Sequence, residues 1–134
     1  MLHRITLTII AGLAVLPHAA HAEVSSSRVT ASVPESCRLD APNLSLNEGS
    51  ESATGVAWEM CNSGRGYRIA ALTRALDSSE TIVLRYGNLI RELNAVGQTD
   101  LVNRSGPIFK QVPMSLNAKD LNRPLVLSVS MTAI

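Results

Sequence analysis

Reactive side chains that could support catalysis are scarce in this chain. Nucleophilic catalysis by serine or cysteine usually needs a histidine as general base. The chain has three histidines, His3, His18 and His21, and all of them lie near its beginning. A Ser–Lys arrangement with Lys110 or Lys119 stays open, although no spacing in the sequence favours it.

Paired carboxylates are the other route to hydrolysis. The available pairs are Glu48 with Glu51 and Glu80 with Glu92. The first pair lies in a polar loop, where a solvated charge is the ordinary interpretation. The glycine-rich segment 62–66 lacks the spacing and the following helix of a phosphate-binding loop, so a β-turn is the better interpretation. The sequence therefore predicts a protein that is not an enzyme and takes no cofactor.

Two cysteines, Cys37 and Cys61, are the only ones in the chain. In an exported protein an even pair usually forms a disulfide. The bridge would close a loop of roughly 25 residues and stabilise the fold by about 3 kcal/mol. A closed metal site of nitrogen and sulfur ligands is not expected. The chain has no further cysteine, and all three histidines lie within the first 22 residues, which are predicted below to be a cleaved signal peptide.

The first 22 residues have the pattern of a signal peptide. Arg4 supplies a positive start, residues 5–16 are an apolar run, and Ala20-His21-Ala22 supplies small residues for cleavage before Glu23. A membrane anchor or a buried core helix is the alternative, but the run is short for a membrane span. We expect an exported protein that reaches the periplasm and then the cell surface or the medium.

Cleavage would remove all three histidines and Arg4. The remaining chain, residues 23–134, is long enough for one domain, and its 11 basic residues balance its 11 acidic residues. Such a surface is not expected to attract nucleic acid or anionic lipid. No second apolar run is long enough for membrane insertion after processing.

Alternation of apolar and polar residues predicts strands along most of this chain. Glycine and asparagine at positions 87 and 88 predict a hairpin with a type II′ or I′ turn, and Pro113 predicts that the strand 108–116 lies at least partly on an edge. Trp58 and Tyr67 are expected in the core. Helices over 70–78 and 89–96 are the alternatives to strands there. Seven or so short strands predict an all-β fold, an antiparallel immunoglobulin-like sandwich.

The last apolar run, 125–134, is the most regular strand pattern, and no further strand follows it in this sequence. If the strand beside it is missing, the sandwich is incomplete and its edge can recruit a strand from another chain. Residues 23–33 supply a candidate, with the alternating residues Val29, Ala31 and Val33. A groove at one end and a strand at the other make a heterologous contact. Such a contact builds an open filament unless the rotation from one subunit to the next closes a ring.

The order of these features resembles the pilin subunits of the chaperone–usher pathway, closest to the archaic type that shares the spore coat protein U domain. The matching stretches are Val29 to Val33, Cys37 to Ala41 with Leu44, Met60 to Ile69, Tyr86-Gly87 and the apolar C-terminal strand. Two features depart from the pattern. Ser25-Ser26-Ser27 weakens the candidate donor, and Leu46 to Gly49 stands where the family often has an aromatic–glycine pair.

The resemblance implies an immunoglobulin-like fold that lacks its final strand. It implies a periplasmic chaperone, an outer-membrane usher, and copies of the chain or other pilins as partners, in a surface fimbrium involved in cell adhesion. Residues 23–33 would be the donor strand, with Val29, Ala31 and Val33 as plugs. The edge of the acceptor groove would be formed by Leu125, Leu127, Val129 and Met131. The alternative is a self-contained exported immunoglobulin-like binding module, in which residues 23–33 pair within their own sheet.

Overall fold

The computed structural model describes residues 27–134, and every residue with regular structure in that range belongs to a strand. Val33–Ile134 form one compact unit. The predicted signal peptide and its cleavage point lie outside the described residues. Within residues 27–134 there is no helix with the length and apolar character needed to cross a bilayer.

Nine strands follow one another along the chain. They are β1 (Cys37–Asp40), β2 (Leu44–Leu46), β3 (Ser52–Cys61), β4 (Tyr67–Leu72), β5 (Thr81–Tyr86), β6 (Leu89–Glu92), β7 (Gln98–Arg104), β8 (Ile108–Lys119) and β9 (Leu125–Ala133).

The strands form two antiparallel sheets. One sheet has the order β1-β3-β8-β5-β6 and the other has the order β2-β9-β4-β7. Fully buried side chains from both sheets make a single core between them, and they include Leu46, Tyr67, Ile69, Ile82, Leu84, Leu116, Leu125 and Leu127. The predicted all-β fold with two antiparallel sheets is confirmed, and the strand interpretation holds over 89–92 and up to Leu72.

The predicted disulfide is also confirmed. Cys37 and Cys61 are bonded to each other across the β1–β3 pair, where they are direct register partners. The bridge therefore ties the first strand of the sandwich to β3.

The hairpin predicted at Gly87-Asn88 joins β5 to β6 through these two residues. Gly87 has φ +60°, whereas Asn88 does not have a positive φ. A positive φ at the first central residue alone is the mark of a type II′ turn, which glycine adopts without steric cost. The hairpin prediction is therefore confirmed, and the turn is resolved as type II′.

The prediction that Pro113 places its strand at least partly on an edge is confirmed, because residues 108–113 of β8 have no partner on the β5 side. The rest of β8 lies in the middle of its sheet, between β3 and β5. The carbonyl of Pro113 accepts a hydrogen bond from Gly87 N at 2.8 Å, so the backbone polar groups of Pro113 point to the β5 side. β5 ends at Tyr86 and turns away there, and the missing N–H of the proline removes no bond of the β3–β8 ladder.

The expectation for Trp58 is wrong, whereas Tyr67 is fully buried as predicted. Along β3 the inward positions are Ala57, Glu59 and Cys61, and Trp58 lies on the outer face at 36% exposure. There its ring packs against Phe109 of β8, with the ring centroids 5.6 Å apart.

The alternation over Val29, Ala31 and Val33 does not form a strand. Residues 27–36 contain no strand, and all three side chains are exposed. A period of two records only that successive side chains point to opposite sides, and a strand also needs a partner to complete its backbone hydrogen bonds.

Candidate functional site

The C-terminal strand β9 changes its pairing halfway along. Leu125 and Leu127 lie in the part that pairs with β2, and Ser128–Ala133 pair with β4 on the other side. Among the described residues no strand pairs with Ser128–Ala133 on the side where β2 stops. This stretch of β9 is therefore an open edge, about 20 Å long at the usual rise per residue.

The burial of the inward-facing side chains changes at the same point. Leu125 and Leu127 are completely buried, whereas Val129 and Met131 are only half-buried although they also pack against the core. Of the four residues predicted for the acceptor edge, the first two are thus covered by β2 and the last two lie along the open edge. The cover over the core is therefore incomplete beyond the end of β2.

Strand β1 borders the same side of the sandwich. It lies close to β9 although it belongs to the opposite sheet. Its inward residues Cys37 and Leu39 are half-buried against the core, as Val129 and Met131 are. The incompletely covered stretch, called the β9 groove below, is therefore bordered by one strand from each sheet, and the disulfide lies on the β1 border.

The segment that precedes β1 is held at the domain by Asn62. The Asn62 side chain accepts a hydrogen bond from Ser36 N and donates one to Pro34 O at 3.0 Å, and Asn62 N donates to Ser36 O at 3.0 Å. Arg65 adds an exposed ion pair with Glu35 at 3.3 Å. These bonds hold residues 34–36 against the turn that follows β3.

Known proteins offer no guide to this chain. No protein-family model, no curated protein and no solved structure matches it. Its function has to be inferred from its own residues and their geometry.

A second feature is a buried carboxylate between the sheets. Glu59 is completely buried, and it accepts hydrogen bonds from the hydroxyls of Tyr67 and Tyr86, the latter at 2.9 Å. Arg104 Nε and Lys110 Nζ lie 3.6 and 3.9 Å from the Glu59 carboxylate. A buried charge needs such partners, because an unpaired one is very costly.

The two tyrosines act as donors in this cluster. Burial, together with the hydrogen bond and the charge of Glu59, raises the pKa of Tyr67, and burial followed by the charge of Glu59 raises the pKa of Tyr86. Both hydroxyls therefore stay protonated at neutral pH and keep their hydrogen bonds to the carboxylate.

The carboxylates considered for hydrolysis differ in burial. Glu80 is buried and holds Arg74 in a bidentate pair with N–O distances of 2.6 and 2.7 Å. Glu92 is exposed on β6, and Glu48 and Glu51 are exposed in the loop before β3. Over residues 27–134 no group of three or more histidine, cysteine, aspartate or glutamate side chains could hold a metal ion.

Sequence reasoning missed Glu59 and its cationic neighbours. The alternation along β3 offers two faces, and the face with Val56, Trp58 and Met60 is the more apolar one. Cys61 is the usable signal, because it shares its face with Glu59 and cysteine is among the most often buried residue types. Nothing local indicates that Arg104, more than 40 positions away, would lie beside Glu59.

Proposed function

We propose that this chain is a structural subunit of a surface fibre, of the pilus or fimbria kind, in which each subunit completes its neighbour by donating a strand. The observation that carries the proposal is the open edge of β9 at Ser128–Ala133, where the inward side chains Val129 and Met131 lose the cover that Leu125 and Leu127 have. An unpaired strand edge above an incompletely covered core is a template for a strand from another chain.

The N-terminal segment has the properties of such a strand. Val29, Ala31 and Val33 alternate with polar residues, they are exposed, and they belong to no strand of the described structure. In an added strand these three side chains would enter the groove while the backbone pairs with β9. Full burial of a valine-sized side chain contributes about 1.5–3 kcal/mol, and ordering of the segment opposes this gain.

The attachment of the segment favours donation to a second molecule. Its last residues are bonded to Asn62 directly ahead of β1, and β1 itself borders the β9 groove. To fill the groove of its own domain, the segment would have to reverse direction within the few residues that Asn62 holds. Donation to the next copy has no such constraint and repeats from copy to copy, which produces a filament.

A periplasmic chaperone that lends a strand to the groove, and an outer-membrane usher that exchanges it, complete the proposal. An open edge of this kind exposes apolar surface and unpaired backbone groups until a donor arrives, and such surfaces aggregate. A chaperone that covers the groove by strand addition removes this hazard. The disulfide agrees with export, since such bonds persist in oxidising compartments.

The first prediction tests strand donation directly. We expect the processed chain, expressed into the periplasm, to form heat-sensitive ladders on denaturing gels, and a variant without residues 23–33 to stay monomeric. A synthetic peptide of residues 23–33 should raise the melting temperature of the truncated variant. A peptide with aspartate in place of Val29, Ala31 and Val33 should not, because a charged side chain cannot enter an apolar groove.

Val129→Asp in the full chain should abolish the ladders, and Val126→Asp is its matched control. Val126 lies on the same strand with its side chain 52% exposed on the outer face, so its replacement should leave the ladders intact. A chain that stays monomeric, melts cooperatively and is unaffected by the peptide would overturn the proposal and favour a self-contained binding module.

A further inference from the structure

The opposite side of the sandwich carries a second free edge, on β8. β8 pairs with β5 only over residues 114–119, whereas it pairs with β3 over residues 108–117 without interruption. β5 ends at Tyr86, and the chain turns away at Gly87-Asn88. From Ile108 to Pro113 no described strand lies on the β5 side of β8.

The unpaired backbone groups on this edge can be identified. Pro113 points its carbonyl to the β5 side, where it accepts a hydrogen bond from Gly87 N. In an antiparallel strand the N–H and C=O of one residue point to the same side, and this side alternates along the chain. Gln111 and Phe109, two and four residues before Pro113, therefore present their N–H and C=O groups to the same side.

Gln111 lines a cleft of about 620 Å³ between β8, the β5–β6 turn and the last residues of β7, and Phe109 lies further along the same strand edge. Tyr86, Leu89, Leu101 and Val112 supply an apolar part of the lining, and Arg104 and Lys110 supply cations. No carboxylate is among the residues that line the cleft in the described part of the chain.

The charge of the cleft is only partly neutralised. Glu59 is the one carboxylate within 4 Å of Arg104 and Lys110 among the described residues, and it already accepts two tyrosine hydroxyls. Neither cationic side chain forms a hydrogen bond with a described residue, and the buried Arg104 Nε has no hydrogen-bond partner there. Two cations against one carboxylate leave one positive charge available to a ligand.

We propose that this cleft is a docking site for an extended peptide segment of a partner protein that carries an acidic side chain. The segment adds to the free edge of β8 through the backbone groups of Phe109 and Gln111, and its carboxylate pairs with Lys110 and Arg104. An unpaired strand edge binds an extended backbone, and the positive charge that Glu59 does not neutralise favours a segment with an acidic side chain. The site lies away from the β9 groove and does not depend on the fibre proposal.

The second prediction uses a defined probe. An eight-residue peptide of alternating valine and threonine with one central glutamate should bind the full processed chain, measured by fluorescence anisotropy. Replacing the glutamate by glutamine should weaken binding about tenfold, since a charge-assisted bond is lost. N-methylation of alternate peptide nitrogens should abolish binding, because it removes the donors that pair with β8.

Variants of the chain locate the site. Lys110→Gln should weaken binding of the glutamate peptide about tenfold, whereas Lys119→Gln, an exposed lysine at the other end of the same strand, should leave it within about twofold. Gln111→Pro removes the free N–H without touching the β3 ladder, as Pro113 already does two residues away, and should abolish binding. Val126→Asp, at an exposed position of β9, should not change it.

Equal affinity for the glutamate and glutamine peptides would overturn the acidic specificity. Undiminished binding of the N-methylated peptide would overturn strand addition. Absence of binding at about 1 mM peptide would overturn the site as a whole, because a strand added with an ion pair should exceed that affinity.

Discussion

Glu80 and Glu59 illustrate two uses of a buried carboxylate. Glu80 accepts hydrogen bonds from Arg74 and from the backbone N–H groups of Asp77 and Asn122. Arg74 in turn donates to the carbonyls of Arg123 and Pro124, so this pair fastens the loop before β5 to the loop before β9. Glu59, by contrast, lies beside two cations, Arg104 and Lys110, and its single negative charge neutralises only one of them. Of the two buried carboxylates, only Glu59 therefore leaves a positive charge for a ligand.

The third prediction concerns Glu80. Hydrogen bonds from the Arg74 guanidinium, assisted by those of the backbone at Asp77 and Asn122, hold the pKa of Glu80 well below its usual range although burial opposes them. Its stabilisation is therefore present at neutral pH and is lost only as the pH falls below the pKa of an ordinary glutamate toward the depressed value. Glu80→Gln should lower the free energy of unfolding by about 3 kcal/mol at pH 7, measured with urea.

The same variant should lose less further stability than the wild-type chain when both are acidified from about pH 5 to pH 3, since it has no depressed carboxylate left to protonate. Asp77→Asn is the control. It removes an exposed pair with Arg123, which is worth less than about 1 kcal/mol. Equal acid sensitivity of Glu80→Gln and wild type would contradict the assignment.

At the scale of elements, the turn between β3 and β4 connects the two sheets and depends on one glycine. Gly66 has φ +102°, and a Cβ there would lie 2.0 Å from the carbonyl oxygen of Arg104. The carbonyl of Gly66 also accepts a hydrogen bond from Ile134 N at 3.1 Å. This turn therefore brings together the ends of β7 and β9, next to the polar cluster and the open edge.

The fourth prediction follows from this contact. Gly66→Ala combines a strained backbone with a clash against main-chain atoms, so it should lower the free energy of unfolding by more than about 2 kcal/mol. Gly64→Ala in the same turn is the control, because a Cβ at Gly64 would meet nothing within 4 Å, and it should stay within about 0.5 kcal/mol of wild type. Equal unfolding midpoints for the two variants would show that the clash is relieved by the loop after β7.

At the scale of the molecule, two sheets enclose one core and leave two sides with free edges. One side has β1 and the open part of β9, and the other has the free part of β8 and the edge strand β7. Domains of this size are stabilised by only about 5–15 kcal/mol. The disulfide between β1 and β3 can therefore account for a large part of the total free energy of unfolding.

The fifth prediction concerns this link. Cys37→Ala with Cys61→Ala opens a loop that joins residues 24 positions apart, and it should lower the free energy of unfolding by about 3 kcal/mol. Urea denaturation at equilibrium measures the loss, and the wild-type chain in reducing agent should show a similar shift of the midpoint. An unchanged midpoint in both would contradict a stabilising role of the bridge.

The all-β class and the Gly87-Asn88 hairpin could be predicted from the sequence because each depends on neighbours along the chain. Alternation indicates a strand, and glycine permits the turn. The disulfide could be predicted because the chain has only two cysteines. Alternation does not say which face is inside. Packing of the second sheet against one face of β3 decided that Glu59 points inward and Trp58 outward.

The extent of each free edge was decided by the tertiary structure alone. Pro113 indicated that its strand lies partly on an edge, but not that the rest of β8 is central, and the free part arises because β5 ends two residues before Asn88. The open part of β9 exists because β2 is only three residues long. How far a strand edge stays free depends on segments far away in the chain, and no local pattern contains that information.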